Sequence, residues 1–461
     1  LSSGGRAPKF IRDPIHDIIR IDDPFILDLL NSAAMQRLRR IRQLGLAWLV
    51  YPGAEHSRFT HSLGVFNLAG RVIHQLEDEA RLNGRPDTLF NENQRKAVLS
   101  AALLHDVGHG PFSHAFEHVI ASVSGKPVPH ENWTKKIIEN EQDVRQALSR
   151  SGSPTIVEDV VEIIDGVATP HYLTAVVSSQ LDVDRFDYLL RDSRMTGAQY
   201  GRFDLEWMLR TLAVRTVLPG GLGATQPIET IVVDGRRGLD GLEAHLIGRH
   251  YMYRHVYFHK TIRAAEQILR GIFRRVASLT GDGAKLTNSD AFNKLVSGQG
   301  DTVSTSEYLT LDDFTVLAWI EEWARTSSDH ILADLSNRLI KRQLFKAIVL
   351  PAGTAHRTYM NNRAIVERET VRLGYDPEFY FLEDTVKDVA YRDFFYNLQK
   401  EKDVYESQLW YLDRSGKPRT LSSFEDGITV QARRALEYQN EFWFIPQDVA
   451  GTEAIQSLNW S

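Results

Sequence analysis

Eight of the sixteen histidines lie between residues 56 and 130: His56, His61, His74, His105, His109, His114, His118 and His130. Imidazole both ligates metals and moves protons near neutral pH, so such a cluster points to metal or acid–base chemistry. The chain has no cysteine, which removes thiolate metal sites, catalytic thiols and disulfide frameworks and leaves any metal to His, Asp or Glu. His105-Asp106 closes an apolar run and leads into Val-Gly-His109-Gly-Pro, so an imidazole and a carboxylate project together where the chain turns. That pair suits a divalent cation. It also arises by chance in a chain this long, and a single buried His more often satisfies a core hydrogen bond, so the pair needs partners. The candidates are His61, in Arg58-Phe-Thr-His-Ser-Leu-Gly, and Asp184, in Leu181-Asp-Val-Asp-Arg-Phe-Asp-Tyr-Leu-Leu-Arg-Asp192.

Helices must carry these groups. From Pro24 to about Leu269 apolar residues recur three and four apart, which predicts helices over 25–44, 61–82, 94–105, 111–123, 155–164 and 184–192. Pro111 suits a first helical turn. On a helix Asp184, Tyr188 and Asp192 share one face, because they are spaced by four. Either they line the wall of a site, or that face is solvated and Asp187 and Arg191 form an exposed i,i+4 pair; spacing does not choose. Residues 229–234 read as a strand within a small sheet, and residues 278–306 as loop chemistry around one short helix. Beyond about Pro351 the runs 365–373 and 378–382 are β-prone and 391–396 is aromatic-rich, which predicts a smaller α+β lobe.

Length and charge bound the reading. A chain of 461 residues and 52.4 kDa allows up to three domains. Net charge is -6, against a whole-surface nucleic-acid binder. One window, residues 31–60, is locally basic, with Arg37, Arg39, Arg40, Arg42 and Arg58 against Glu55. The longest apolar runs fall short of the roughly 18 residues that a membrane span needs. The opening residues read as a flexible lead-in rather than a signal peptide, and a cytoplasmic location is the default expectation.

Taken with their surroundings, His61, His105-Asp106 and Asp184 resemble the H…HD…D signature of the HD-domain metal-dependent phosphohydrolases. The wider text is more specific: Asp13-Pro-Ile-His, Gln36-Arg-Leu-Arg39, Gln43-Leu-Gly, Tyr51-Pro-Gly-Ala, Arg58-Phe-Thr-His-Ser-Leu-Gly-Val, His105-Asp-Val-Gly-His-Gly-Pro-Phe-Ser-His and Asp182-Val-Asp-Arg-Phe-Asp-Tyr. It resembles the deoxynucleoside triphosphate triphosphohydrolases, in the branch of the animal SAM-and-HD-domain enzyme, over about residues 9–260 and weakly beyond, without a SAM domain. The resemblance implies a mainly α fold: an HD domain over residues 1–350, with its motif core at about 50–200, and an α+β C-terminal lobe over 351–461.

It implies His61, His105, Asp106 and Asp184 as ligands of a divalent metal, whether Mn, Fe, Mg or Zn. His109, His114 and His130 match the family's active-site histidines, with Glu117 and Glu131 placed to orient them and His114 as general acid. Arg58, Arg185 and Arg249 would bind phosphates. Gln43, Tyr188 and Asp192 would hold the sugar 3′ hydroxyl, while Leu44 and Tyr257 would crowd the 2′ position. The implied reaction cuts between the α-phosphate and the 5′ oxygen of a dNTP substrate. The implied partners are an activating nucleotide and further copies of the chain, as a dimer or tetramer, with no membrane. Gln36 and Arg39 match the activator-binding helix, but Asn31 stands where a guanine-reading Asp is expected, and Phe258 replaces a polar residue near the substrate.

Other readings compete. His114-Ala-Phe-Glu117-His118 fits the H-x-x-E-H pattern of inverted zinc proteases but leaves His61, His105-Asp106 and Asp184 unexplained. A P-loop is absent from the sequence. An HD-type phosphodiesterase or nuclease would keep the metal chemistry on another phosphoester, and a nucleotide-binding sensor without turnover would be expected to have a broken ligand set.

Overall fold

The computed structural model describes residues 7–85, 89–125, 129–219, 226–389, 408–424 and 437–460. It is mainly helical. A hairpin, β1 (Lys9–Asp13) and β2 (Asp17–Ile21), opens the chain. Asp13 shapes its turn by accepting the backbone N–H groups of Ile15 and His16 at 2.9 and 3.0 Å. Two short helices follow, α1 (Pro24–Leu30) and α2 (Ala33–Arg37). The single helix expected over 25–44 is therefore broken: α1 stops at Asn31, and Ser32 caps α2 through the Met35 N–H.

The helical core continues through α3 (Arg58–Leu82), α4 (Glu92–Leu104), α5 (His114–Ser124) and α6 (His130–Asn140). Next come α7 (Gln142–Ser149), α8 (Ile156–Ile164), α9 (Tyr172–Val177), α10 (Val183–Thr196) and α11 (Leu205–Arg210). Helix α3 buries Phe59, Phe66, Ile73 and Ala80 along one side, the stripe that a 3.6-residue period puts against a core. Helix α4 begins with a reciprocal cap between Asn91 and Gln94. The helix expected to begin at Pro111 begins at His114 instead, because Phe112 and Ser113 take φ of 53° and 51° and cannot continue a helix.

β3 (Leu212–Val217) and β4 (Ile228–Asp234) pair antiparallel, in the region where a small sheet was expected. After them come α12 (Leu239–Met252), a π turn at Tyr253–Tyr257, and α13 (Lys260–Gly281). Then follow α14 (Asp290–Val296), α15 (Thr305–Tyr308), α16 (Asp313–Thr326) and α17 (His330–Ile340).

The remaining elements are β5 (Lys346–Leu350), α18 (His356–Arg372), α19 (Pro377–Tyr380), β6 (Leu382–Val389), β7 (Trp410–Leu412), β8 (Pro418–Thr420) and β9 (Glu437–Ile445). They complete the sheets β3-β4-β7-β8 and β5-β9-β6. Two expectations fail here: residues 365–373 are helical, and 378–382 is mostly α19. β-Branched residues favour a strand by propensity, but Asn362, Val366 and Thr370 are buried while Ala364 and Arg368, which a strand would place on the same face, are exposed, the pattern of a helix. Residues 391–396 lie outside the described ones.

Candidate metal centre

Three elements distant in sequence meet at one point. His61 lies in the first turn of α3, His105 and Asp106 follow the last turn of α4, and Asp184 lies in the first turn of α10. The two acids of Asp182-Val-Asp184 divide their work. The Asp182 carboxylate caps α10, accepting the Arg185 N–H at 2.7 Å and the Ser179 N–H at 2.8 Å. That leaves Asp184 to face the histidines.

One ligand atom each from His61, His105 and Asp184 lies within 4.8 Å of the others. The His61 Nε2 is 3.0 Å and the His105 Nε2 3.8 Å from Asp184 Oδ1. Asp106 joins them, 3.4 Å from His105 Nε2 and 3.9 Å from His61 Nε2. Both rings are turned the same way. His105 Nδ1 donates to the Ala102 carbonyl at 2.9 Å and His61 Nδ1 to Asp187 Oδ2 at 2.8 Å, so each Nε2 faces the cluster, where a cation that displaces its proton would meet its lone pair. Both Nε2 atoms are buried without a hydrogen-bond partner.

The electrostatics call for a cation. Burial pulls the His61 pKa down, but the carboxylates of Asp184 and Asp187 outweigh it and push it up to about 10. Burial raises and the neighbouring histidines lower the Asp184 carboxyl, with the net effect downward. Asp106 is likewise held well below the usual carboxylate range against burial, by His105, Arg58 and His109. Two inward-facing imidazole nitrogens and two carboxylates are a donor set that a divalent cation fits, and the two orphaned Nε2 atoms are what it would satisfy.

A second group stands beside the first. Asp106, His109 and His130 also bring ligand atoms within 4.8 Å. His109 Nε2 is 3.3 Å from Asp106 Oδ1, and Glu117 Oε1 lies 3.6 Å from His109 Nδ1 and 3.2 Å from His130 Nδ1. Glu131 is 3.5 Å from His130. Burial, and then Arg58 and His130, hold the His109 pKa well below its usual value, so its ring is neutral. The His114 side chain lies outside the described residues. His118 is exposed, while Glu117 faces His109 and His130.

The loop carrying His109 is clasped from elements that no local pattern links to it. Buried Arg37 donates to the carbonyls of Leu311, Val107 and His109. The Tyr308 hydroxyl donates to the Gly108 carbonyl at 2.8 Å. Asp313 accepts the N–H groups of Phe112 and Arg42, and burial, outweighing those bonds, pushes its carboxyl up to about 6. Gly108 is required for clearance: a Cβ there would sit 2.2 Å from the His130 carbonyl. Arg37, Tyr308 and Asp313 are the positioning residues that the sequence reading missed.

The other expected residues fall into two sets. Arg58 is buried and engaged, with Nη1 2.5 Å from Asp106 and Nε and Nη2 on the Ser113 hydroxyl. Arg185 bonds Asp182 and the Ser179 carbonyl, and Arg249 donates to Gln180 at 3.1 Å. Leu44, Tyr188 and Tyr257 pack on one apolar cluster with Leu189, Met252 and Val256. The Tyr257 hydroxyl donates to Asp192 Oδ2 at 2.8 Å, and His56 Nε2 meets Asp192 Oδ1 at 2.8 Å. The Gln43 backbone N–H bonds the His56 carbonyl, which brings Gln43 to the same wall. Gln36 and Arg39 bond each other at 2.9 Å, with Arg39 over the Phe59 ring.

The HD-domain profile matches residues 58–192, the span from Arg58 to Asp192 that carries these ligands. The Bacillus subtilis protein YwfO, itself uncharacterized, is 34% identical over 415 residues, covering 90% of this chain and 87% of that protein. The human deoxynucleoside triphosphate triphosphohydrolase SAMHD1 is 32% identical over 226 residues, and the matched part is 42% of this chain and 35% of that enzyme. A crystal structure of a phosphohydrolase from Bacteroides thetaiotaomicron superposes with a TM-score of 0.76 at 25% identity, covering 95% of this chain and 99% of that one. The chain belongs to the HD-domain family, whose helical fold and His/Asp cluster are those of metal-dependent phosphohydrolases. No helix among the described residues is long and apolar enough to cross a membrane.

Proposed function

We propose that this protein hydrolyses deoxynucleoside triphosphates to the deoxynucleoside and inorganic triphosphate, with a divalent metal held by His61, His105, Asp106 and Asp184. The observation that carries the reading is the pair of buried, unbonded Nε2 atoms of His61 and His105 aimed at Asp184. When bound, the metal supplies positive charge to the α-phosphate and makes a bound water more acidic. In the hydrolysis the water oxygen bonds to the α-phosphorus, the bond to the 5′ oxygen breaks, and that oxygen leaves with a proton. His109, beside Asp106 and stacked on His130, is assigned by its position to accept the proton of the water. Proton donation to the 5′ oxygen is assigned to His114.

Arg58, Arg185 and Arg249 are assigned to the phosphates. Asp192, Gln43 and Tyr188 are assigned to the 3′ hydroxyl, with Leu44 and Tyr257 closing the 2′ side. The relatives named as deoxynucleoside triphosphate triphosphohydrolases support this choice of substrate. Assembly into a dimer or tetramer and activation by a nucleotide belong to the same reading.

The test is anion-exchange separation of products after incubation with each dNTP, with and without GTP, in Mn²⁺, beside Asp106→Ala and a chelated sample. Deoxynucleoside plus triphosphate, absent from both controls, is expected. No turnover of any mixture would move the reading to another phosphoester or to binding alone.

A further inference from the structure

Asp187 is fully buried one turn beyond Asp184 on α10, and it is the hub of a chain of contacts that ends at His61. Its Oδ2 lies 2.8 Å from His61 Nδ1. Its Oδ1 lies 2.6 Å from Nε2 of His16, a residue of the β1–β2 turn 171 positions away. Arg191 grips both oxygens, at 2.8 and 2.9 Å, and extends to Asp13 at 2.8 and 3.2 Å. The side chains of His16, Asp187, Arg191 and Asp13 are between 0% and 3% exposed. Space for the hub is cut into α3: a Cβ on Gly64 would stand 1.8 Å from Asp187 Oδ1 and 2.5 Å from Arg191 Nη2.

A buried carboxylate gripped by one arginine would be enough to tie α10 to the hairpin. Here each carboxylate oxygen also carries an imidazole, and one of those rings is the His61 ring whose far nitrogen enters the metal cluster. A carboxylate on the non-ligating nitrogen fixes the tautomer and the angle of a metal-binding imidazole and raises its basicity. His16 holds that carboxylate from the opposite side, where it stops Asp187 from rotating off His61.

We infer that Asp187 and His16 are positioning residues of the metal centre, so that the N-terminal hairpin, outside the span matched to the HD domain, forms its outer wall. This rests on the proposed metal site. The test measures metal dissociation from the full chain by chelator competition with Mn²⁺ and Zn²⁺, in the parent, His16→Phe, His16→Gln, Asp187→Asn and His61→Ala, with circular dichroism and melting of each metal-free form. His16→Phe and Asp187→Asn are expected to weaken binding by about 10- to 100-fold. His16→Gln, which keeps an N–H donor, should stay within about threefold of the parent, an outcome that packing alone would not produce. If the core rejects phenylalanine, His16→Met supplies the donor-free side chain. Unchanged affinity in a folded donor-free variant, with binding lost in His61→Ala, would overturn the positioning role and leave the metal site intact. Metal retained by His61→Ala would overturn the site itself.

Discussion

The rings of His109 and His130 stack with centroids 3.6 Å apart and 17° between their planes, and Glu117 lies within 3.6 Å of a nitrogen on each. Two imidazoles that close cannot both be charged without strong repulsion, and His109 is the one that burial, Arg58 and His130 keep neutral. They act as one unit. His109→Ala and His130→Ala are each expected to lower kcat by about 10²- to 10⁴-fold. The double variant should cost little more than the worse single one. Triphosphate release under saturating dNTP measures this; additive losses would show two independent roles.

Arg37 is buried and donates to three carbonyls, two of them in the loop that carries His109. Arg37→Met keeps much of the volume and leaves those carbonyls unpaired. A loss of about 3 kcal/mol or more is expected in urea unfolding, together with a fall in kcat, because two of those carbonyls belong to the loop that positions His109.

Tyr257 and Leu44 pack on one cluster, with the Tyr257 hydroxyl on Asp192. If they exclude a 2′ hydroxyl, Tyr257→Ala should raise the ratio of ribonucleotide to deoxynucleotide kcat/KM by about tenfold or more. Competition between GTP and dGTP for hydrolysis measures the ratio. An unchanged ratio would place the discrimination elsewhere.

His245 is buried edge-on to Phe186 and Phe203 with neither ring nitrogen hydrogen-bonded. Burial first, and then Arg249 and Arg185, pull its pKa down to about 3, and burial pulls His171 down to about 4. A histidine lowered on folding binds its proton more readily when unfolded, so its contribution is present above about pH 6.5 and is lost as pH falls towards the folded value. Each such group removes about 1.4 kcal/mol per pH unit in that window. His245→Phe should therefore spare about 2 kcal/mol at pH 5 relative to pH 7. Melting curves of both proteins from pH 7 to 5 check it; parallel curves would mean that His245 is protonated in the folded chain.

Short-range chemistry was legible in the amino-acid order. Residue types alone leave any metal to His, Asp or Glu, and the 3.6-residue period placed α3, α4, α8 and α10 to within a few residues, because periodicity and capping act within a turn or two of chain. The grouping of His61, His105-Asp106 and Asp184 was also legible as a motif. What folding alone settled is the environment of each side chain. The spacing of Asp187 and Arg191 reads equally well as a solvated ion pair, and only the packing of α10 on α3, which carries His61, together with Asp13 and His16 of the hairpin from the far end of the chain, buries it and holds its carboxylate on His61. The same holds for Arg37, Tyr308 and Asp313, whose partners lie some 70 to 270 positions away. Contacts at that range leave no period in the sequence, since they depend on which surfaces exclude water from each other, and that is decided only when the helices pack.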